Sequence, residues 1–396
     1  MALLFKRIWT RRSAWPPSVC SNINSEKIEE DTFPDYLAGR YYPVNIGKVF
    51  VSRYQVVGKF GCGAYSTVWL AKDLMQYRHV ALKVFIRSQA VGRATDHELN
   101  TYQHITRVSS SSSHPGREAV RSLLVSFNVS GLDGEHHCLV HPPLWDSVEG
   151  ILRRNPIGRL PLPVLRIVLQ QLLTALDSFS LRTPFGPYRM DNIMFDVWDD
   201  LIFDQFEQQE LESPSPREEV DGHFIYLFRE LSIPDSLGPP ALCDFGFPNL
   251  YRSAELILQV PWSSEIDIWN VGCMIWDMFE GGHPFSGEDP EHQIYRTRAH
   301  LASIISLLGH PPQDFITRGA LRSKFFSEKG PFRRKICSLL ASLIPPARSL
   351  DEMETNLLGK DKERFLQFMG KMLQWVPKQR STAKELLQDS WLTATT

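Results

Sequence analysis

Two glycines and a lysine carry the first chemical signal in this 396-residue chain. In the stretch YQVVGKFGCGAYSTVWLAKDLMQYRHVALK, from Tyr54 to Lys83, an apolar run leads into a Gly-x-Gly turn at Gly61 and Gly63. Glycines there let the backbone approach a ligand closely and aim amide N–H groups at anionic oxygen. Lys83 stands in the otherwise apolar run Val80-Ala81-Leu82-Lys83-Val84, and a cation so placed needs an anion to meet. A polyphosphate satisfies both features. Alone, each is weak: a tight hairpin uses glycines whether or not anything binds, and a strand lysine can simply reach water.

The elements that must position these residues follow from the pattern around them. Val56 and Val57, then Thr67, Val68 and Trp69, then the Val80 run predict three strands joined by turns, an antiparallel meander. A helix is predicted from about Thr95, a candidate N-cap, to Arg107, with Leu99, Tyr102 and Ile105 on one face and Glu98 in its first turn. A serine run at 109–113 follows as a flexible connector, then strands around Leu123 to Val129 and His137 to His141. Leu162 to Leu181 has a broad apolar helical face. The segment PWSSEIDIWNVGCMIWDMFEG is apolar all round and predicts a buried helix; two more helices are expected near Arg298 to Leu308 and Arg364 to Trp375.

Composition narrows the class. With 43% apolar and 22% charged residues the chain has ample core, and a net charge of −2 gives no basic field for nucleic acid or an anionic membrane. Six cysteines lack C-x-x-C spacing, which argues against a zinc site or disulfide framework. No uninterrupted apolar run is long enough to span a bilayer. Residues 1–25 hold Lys6, Arg7, Arg11 and Arg12 and no acid, the pattern of a transit peptide or of an unstructured basic tail. Segment 196–240 contains twelve acids against Arg217 and Arg229, with Ser213-Pro214-Ser215-Pro216 in its middle, and its charge reads as a solvated linker.

The spaced motifs resemble those of the protein kinases. G-x-G-x-x-S-x-V followed by Ala-Leu-Lys is similar to their glycine-rich loop and third-strand lysine, with Ser66 where a third glycine is usual. The lead-in YYPVNIGKVFVSRY resembles the entry of the SR-protein kinases, and the acidic 196–240 insert looks like the short spacer of their fungal members, which implies a docking surface for Arg-rich peptides as the alternative to a solvated linker. Asp191-Asn192-Ile193-Met194-Phe195, Asp244-Phe245-Gly246, Ala254-Glu255 and PKQRSTAKELLQDSWL complete the resemblance, which covers residues 40 to 392. It implies an α+β bilobal fold: a tail over 1–39 and a kinase domain over 54–391, split into lobes 54–142 and 143–391 with Cys138 to Pro143 as hinge and the nucleotide between the lobes. It further implies that Phe60, Gly61, Gly63, Ser66, Val68, Ala81, Lys83 and Glu98 hold ATP, with Glu98 pairing Lys83, and that Asn192 and Asp244 hold Mg²⁺. Glu255 and Arg380 would form a buried link, and Asp267 would hold the catalytic-loop backbone.

Two motifs depart from the family pattern. Counting back from Asn192, Arg189 falls where the loop lysine belongs and Pro187 where the general-base aspartate belongs, and the loop histidine is missing. Only Phe247 to Ser253 separate the magnesium motif from Ala254-Glu255, where a longer activation segment is usual. That pattern fits a degenerate pseudokinase or misjoined coding segments. The resemblance therefore implies a serine/threonine kinase acting on Ser in Arg/Ser-rich proteins, impaired as written, or else an ATP-binding scaffold for Arg-rich partners. The expected chain is a monomer of cytoplasm and nucleus, or of mitochondria if the basic start is a transit peptide, with no nucleic-acid or membrane partner.

Overall fold

The computed structural model describes residues 27–87, 89–110, 114–131, 134–179, 189–245, 251–327 and 346–394. Pro187, Gly246, most of the short segment after it, and the basic start of the chain lie outside them. The chain divides into two units, the first comprising Met1–Arg107, Arg121–Asp146 and Met194–Pro239, the second Val108–Val120, Ser147–Ile193 and Pro240–Thr396.

In the first unit the meander forms as expected. β1 (Val49–Phe50), β2 (Tyr54–Gly63), β3 (Ser66–Asp73), β4 (Arg78–Phe85), β5 (Val125–Gly131) and β6 (Gly134–His141) make one antiparallel sheet in the order β1-β2-β3-β4-β6-β5. Alternation along β2 sends Val56 and Val57 to opposite faces, and both faces are covered. Val56 joins Trp69, Val80, Leu82, Val84 and Val140, while Val57 joins Leu70 in a second cluster. Helix α1 runs Gln89–Ser110. It therefore starts before Thr95, which is not its N-cap, and Glu98 stands well inside it. A single interior glycine, Gly92, costs only about 1 kcal/mol against alanine, too little to stop the helix.

Two further segments are built into this unit. The 196–240 insert, placed in the larger lobe by the sequence reading, supplies α4 (Leu201–Glu212) and the hairpin β8 (Arg217–Val220) and β9 (His223–Tyr226). α4 buries Ile202, Phe203 and Phe206 against Val57 and Leu70. Tyr226 packs into the other cluster, its ring 5.7 Å from that of Trp69. The last part of the 1–39 tail is likewise ordered: Ile28, Glu30 and Ala38 are buried.

The second unit is mainly helical. It contains α2 (Val148–Arg154), α3 (Leu162–Phe179), α5 (Ala254–Leu258), α6 (Glu265–Glu280), α7 (Thr297–Leu308), α8 (Gly359–Gly370) and α9 (Ala383–Leu387). α3 is long and apolar enough to cross a membrane, with mean hydropathy 1.2, but Leu165, Val168, Leu169, Leu172, Leu173 and Leu176 are buried inside the unit, the placement of a core helix. Every residue of α6 from Ile266 to Phe279 is buried, as its all-round apolarity predicts. α8 begins before the expected Arg364 because Lys360 to Glu363 continue its polar face, and it stops at Gly370. α9 opens on a reciprocal cap between Thr382 and Glu385.

A Cβ at Gly58 would come within 2.6 Å of Phe206 Cε1, so β2 needs glycine there to admit α4. Gly58→Ala is expected to destabilise the protein by about 1–3 kcal/mol through overpacking. A thermal midpoint equal to that of the parent protein would show that α4 is not seated on β2 in solution.

Candidate active site

Lys83 lies in the middle of the sheet, opposite Val68 of β3 and Leu139 of β6. Its ammonium reaches both carboxylate oxygens of Glu98, at 3.0 and 2.9 Å. Glu98 is 1% exposed, and the Lys83 side chain 12%. The expected ion pair is therefore present, and it fixes the amine at the one edge of the pair that water still reaches. Ala81 is buried on the same strand, and Ser66 closes the β2–β3 hairpin opposite Gly63. Phe60 is engaged elsewhere: its ring packs on Phe206, 5.2 Å centroid to centroid and at right angles.

The glycines are informative by what does not surround them. Among the described residues, none beyond the chain neighbours comes within 4 Å of where a Cβ at Gly61 or Gly63 would sit. Gly61 has φ +154°, which L side chains rarely adopt, but Gly63 has no such need. Nothing inside the fold requires glycine at 63, whereas a phosphate approaching the backbone does.

In the second unit Asn192 and Asp244 come together. Asn192 Nδ2 donates to the Asp244 carbonyl at 2.8 Å, and the Cys243 N–H donates to the Asn192 carbonyl at 2.7 Å. Asp244 has φ +55°, a left-handed conformation that costs an aspartate local strain and recurs at ligand sites. Phe245 behind it is buried while Asp244 is exposed. An amide oxygen and a carboxylate are the hard donors a magnesium-sized ion takes, so the pair fits a divalent metal. Asp191 next to them is held by Arg189, Nε to Oδ1 at 3.0 Å and Nη2 to Oδ2 at 3.0 Å. Burial raises the Asp191 pKa; the carboxylates of Glu149 and Asp244 add to the rise, against the pull of Arg189. That local excess of negative charge is one a metal cation would relieve.

Two buried networks hold this unit. Arg380 grips Glu255 through two bonds, 2.6 and 2.9 Å, with both side chains fully buried, and its guanidinium lies 5.0 Å from the Trp269 ring centre. This is the link the resemblance implies. Asp267 is buried in the first turn of α6. The second network is absent from the sequence reading. Tyr251 Oη donates to Asp277 Oδ2 at 2.6 Å, and His283 Nδ1 meets the same oxygen at 2.6 Å. Burial, reinforced by Asp277, pushes the Tyr251 pKa far up, and the bond to Asp277 raises that of His283. The sequence signal was slight: an acid inside an otherwise apolar helix, six residues before a histidine.

Comparison with known proteins agrees with this geometry. Residues 238–392 match the protein kinase domain. A serine/threonine protein kinase of Aspergillus fumigatus is 37% identical over 384 residues, covering 93% of this chain and 91% of that protein. The serine/threonine-protein kinase SRPK of Physarum polycephalum is 27% identical over 400 residues, 92% and 91% of the two chains. Human SRSF protein kinase 3 is 23% identical over 534 residues, 93% and 91% of the two. The chain belongs to the protein kinase family, among the serine/threonine kinases similar to the SR-protein kinases. That family uses ATP together with a divalent metal.

Removing one partner of the buried Glu255–Arg380 pair strands the other, so Glu255→Gln is expected to cost about 3–5 kcal/mol in denaturant unfolding. A loss under 1 kcal/mol would mean that water reaches the pair. For His283 the effect depends on pH. Its folded pKa is raised, so its stabilisation is fully present below the unfolded value of about 6.5 and is lost as pH rises through the folded value. His283→Gln should therefore lower the thermal midpoint at pH 5.5 and leave it nearly unchanged at pH 9; an equal loss at both would assign His283 a packing role only.

Proposed function

We propose that this chain binds Mg·ATP and is, as written, a poor catalyst of γ-phosphoryl transfer to serine in Arg/Ser-rich proteins. The Lys83–Glu98 ion pair carries the binding half of this reading. Lys83 would hold the phosphates, the amides beside Gly61 and Gly63 would approach them, and Asn192 and Asp244 would take Mg²⁺, whose charge offsets that of the transferring group. The catalytic half rests on Pro187, which offers no group to accept the substrate hydroxyl proton. Asp191 is no ready substitute, because Arg189 holds both its oxygens. Loss of a general base typically costs about 10²–10⁴-fold, while nucleotide binding is spared.

A second reading has its own observation. Asp199, Asp200, Glu212, Glu219, Asp221 and Asp235 of the insert are exposed, a negative surface suited to an Arg-rich partner held without turnover. Either reading places the chain with Arg/Ser-rich proteins, in cytoplasm and nucleus.

The test combines nucleotide titration with peptide phosphorylation. Saturable Mg·ATP binding that Lys83→Met abolishes, with little phosphate transferred to an Arg/Ser peptide, is the expected result. Robust transfer that survives Pro187→Ala and vanishes with Lys83→Met would refute the importance of the missing base. Sequencing the transcript across codons 181–190 and 247–253 adds a second check: a continuation restoring H-x-D and a longer activation segment would return the chain to the ordinary enzymes.

A further inference from the structure

Lys59 is two residues upstream of Gly61 on β2, and its side chain has no exposure at all. A buried ammonium must find anions, and this one finds two on the N-terminal segment and a carbonyl acceptor on the hairpin. Its Nζ bonds Glu30 Oε2, lies 3.7 Å from Glu29 Oε2, and donates to the Tyr226 carbonyl of β9 at 2.9 Å. Its own carbonyl accepts the Arg229 N–H at 3.4 Å. Glu29 extends the junction in two directions. Oε2 accepts from the thiol of Cys62, the residue between the two glycines, at 3.5 Å, and Oε1 accepts the Phe228 N–H at 3.3 Å. Burial first, then Glu30 and Glu29, push the Cys62 pKa up to about 12, so the thiol keeps the proton it donates. Glu29 achieves this from φ +48°, a left-handed conformation unusual for a glutamate.

The junction acts beside an irregularity in the sheet: the β2–β3 register shifts between Lys59 and Gly61 before pairing resumes at Gly61, Cys62 and Gly63. Beyond the shift, Cys62 between the two glycines is the residue that Glu29 holds.

We propose that the Glu29–Glu30–Lys59 junction is a positioning device for the glycine-rich turn, through which segment 27–41 and residues 223–229, at the end of the 217–226 hairpin, set nucleotide affinity. Lys59 and Glu29 touch no nucleotide in this account; they fix the angle at which the Gly61–Gly63 amides are presented. The inference rests on the nucleotide-binding reading above, so the experiment carries controls for both.

The measurement is the dissociation constant of a fluorescent ATP analogue with Mg²⁺, taken beside the thermal midpoint of each unliganded protein. The proteins are the parent chain, Lys83→Met, Lys59→Met, Lys59→Arg and Glu29→Gln. Lys59→Met and Glu29→Gln should bind about tenfold more weakly at a temperature where they are fully folded, in the range of ordinary coupling between sites. Lys59→Arg, which restores a cation, should recover most of the affinity. If Lys59→Met does not fold, Glu29→Gln decides, because it leaves the Lys59–Glu30 pair in place. Lowered midpoints with the parent's affinity would overturn the proposal and leave a structural brace. If Lys83→Met loses binding while Lys59→Met and Glu29→Gln keep it, the proposal fails and the nucleotide reading stands. No binding by the parent chain would sink both.

Discussion

Three successive strands carry a lysine into the interior, and each ammonium is met by a carboxylate from an element outside the sheet. Lys59 on β2 meets Glu30 of the N-terminal segment, Lys72 on β3 meets Glu207 of α4 at 2.5 Å, and Lys83 on β4 meets Glu98 of α1. A charge taken out of water is tolerated only when paired, and losing the partner costs several kcal/mol. The sheet is thus incomplete by itself. It needs the N-terminal segment, the insert helix and α1 to close, and each docks where a cation waits. His79 strengthens the middle pair, its Nε2 3.1 Å from the second oxygen of Glu207, so that carboxylate lies between two basic groups. Together they lower the Glu207 pKa against the upward push of burial.

The same constraint orders the second unit with the charges exchanged. There a carboxylate on short α5 is fixed by an arginine far down the chain, and Arg380 also caps the Gln374 and Glu265 carbonyls. Burying that fork beneath Trp269 ties the chain before and after α6 to one point. Asp277 does comparable work at the other end of α6, where one carboxylate oxygen serves both Tyr251 and His283. Neither link reaches a reacting atom.

What could be read from the sequence divides along the range of these interactions. Lys83 and Glu98 were legible because a lysine in an apolar strand and an acid on the next helix are separated by a short, recognisable spacing. Glu255 and Arg380 were legible only through the motifs around them. Lys59 and Lys72 were not, since their partners lie 29 and 135 residues away and a strand lysine reads as a surface residue. The acidic insert was legible only in part. Twelve acids suggest solvent or an arginine-rich partner, yet Glu207 and Glu210 are buried, one on Lys72 and one on Arg229 and Ser215. The signal was present in the apolar residues among them, Ile202, Phe203 and Phe206, which fall on one helical face. The onset of α1 at Gln89 was hidden because Thr95 offers a cap that the helix, continuing through Gly92, does not use.

This division bears on what a preserved kinase motif means in this chain. Lys83 and Glu98 are buried partners, as are Glu255 and Arg380, so folding holds each pair in place whether or not phosphate is ever transferred. Their presence testifies first to the fold. The features that folding does not require are the sharper witnesses to a ligand. Gly63 has room for a side chain and an ordinary backbone, and Asp244 accepts a strained conformation while exposed to water. Asn192 spends its amide on the Asp244 carbonyl, holding that strained turn beside its own side-chain oxygen. Nucleotide binding, the role proposed above, is one in which this molecule's strained and its buried residues both have a part.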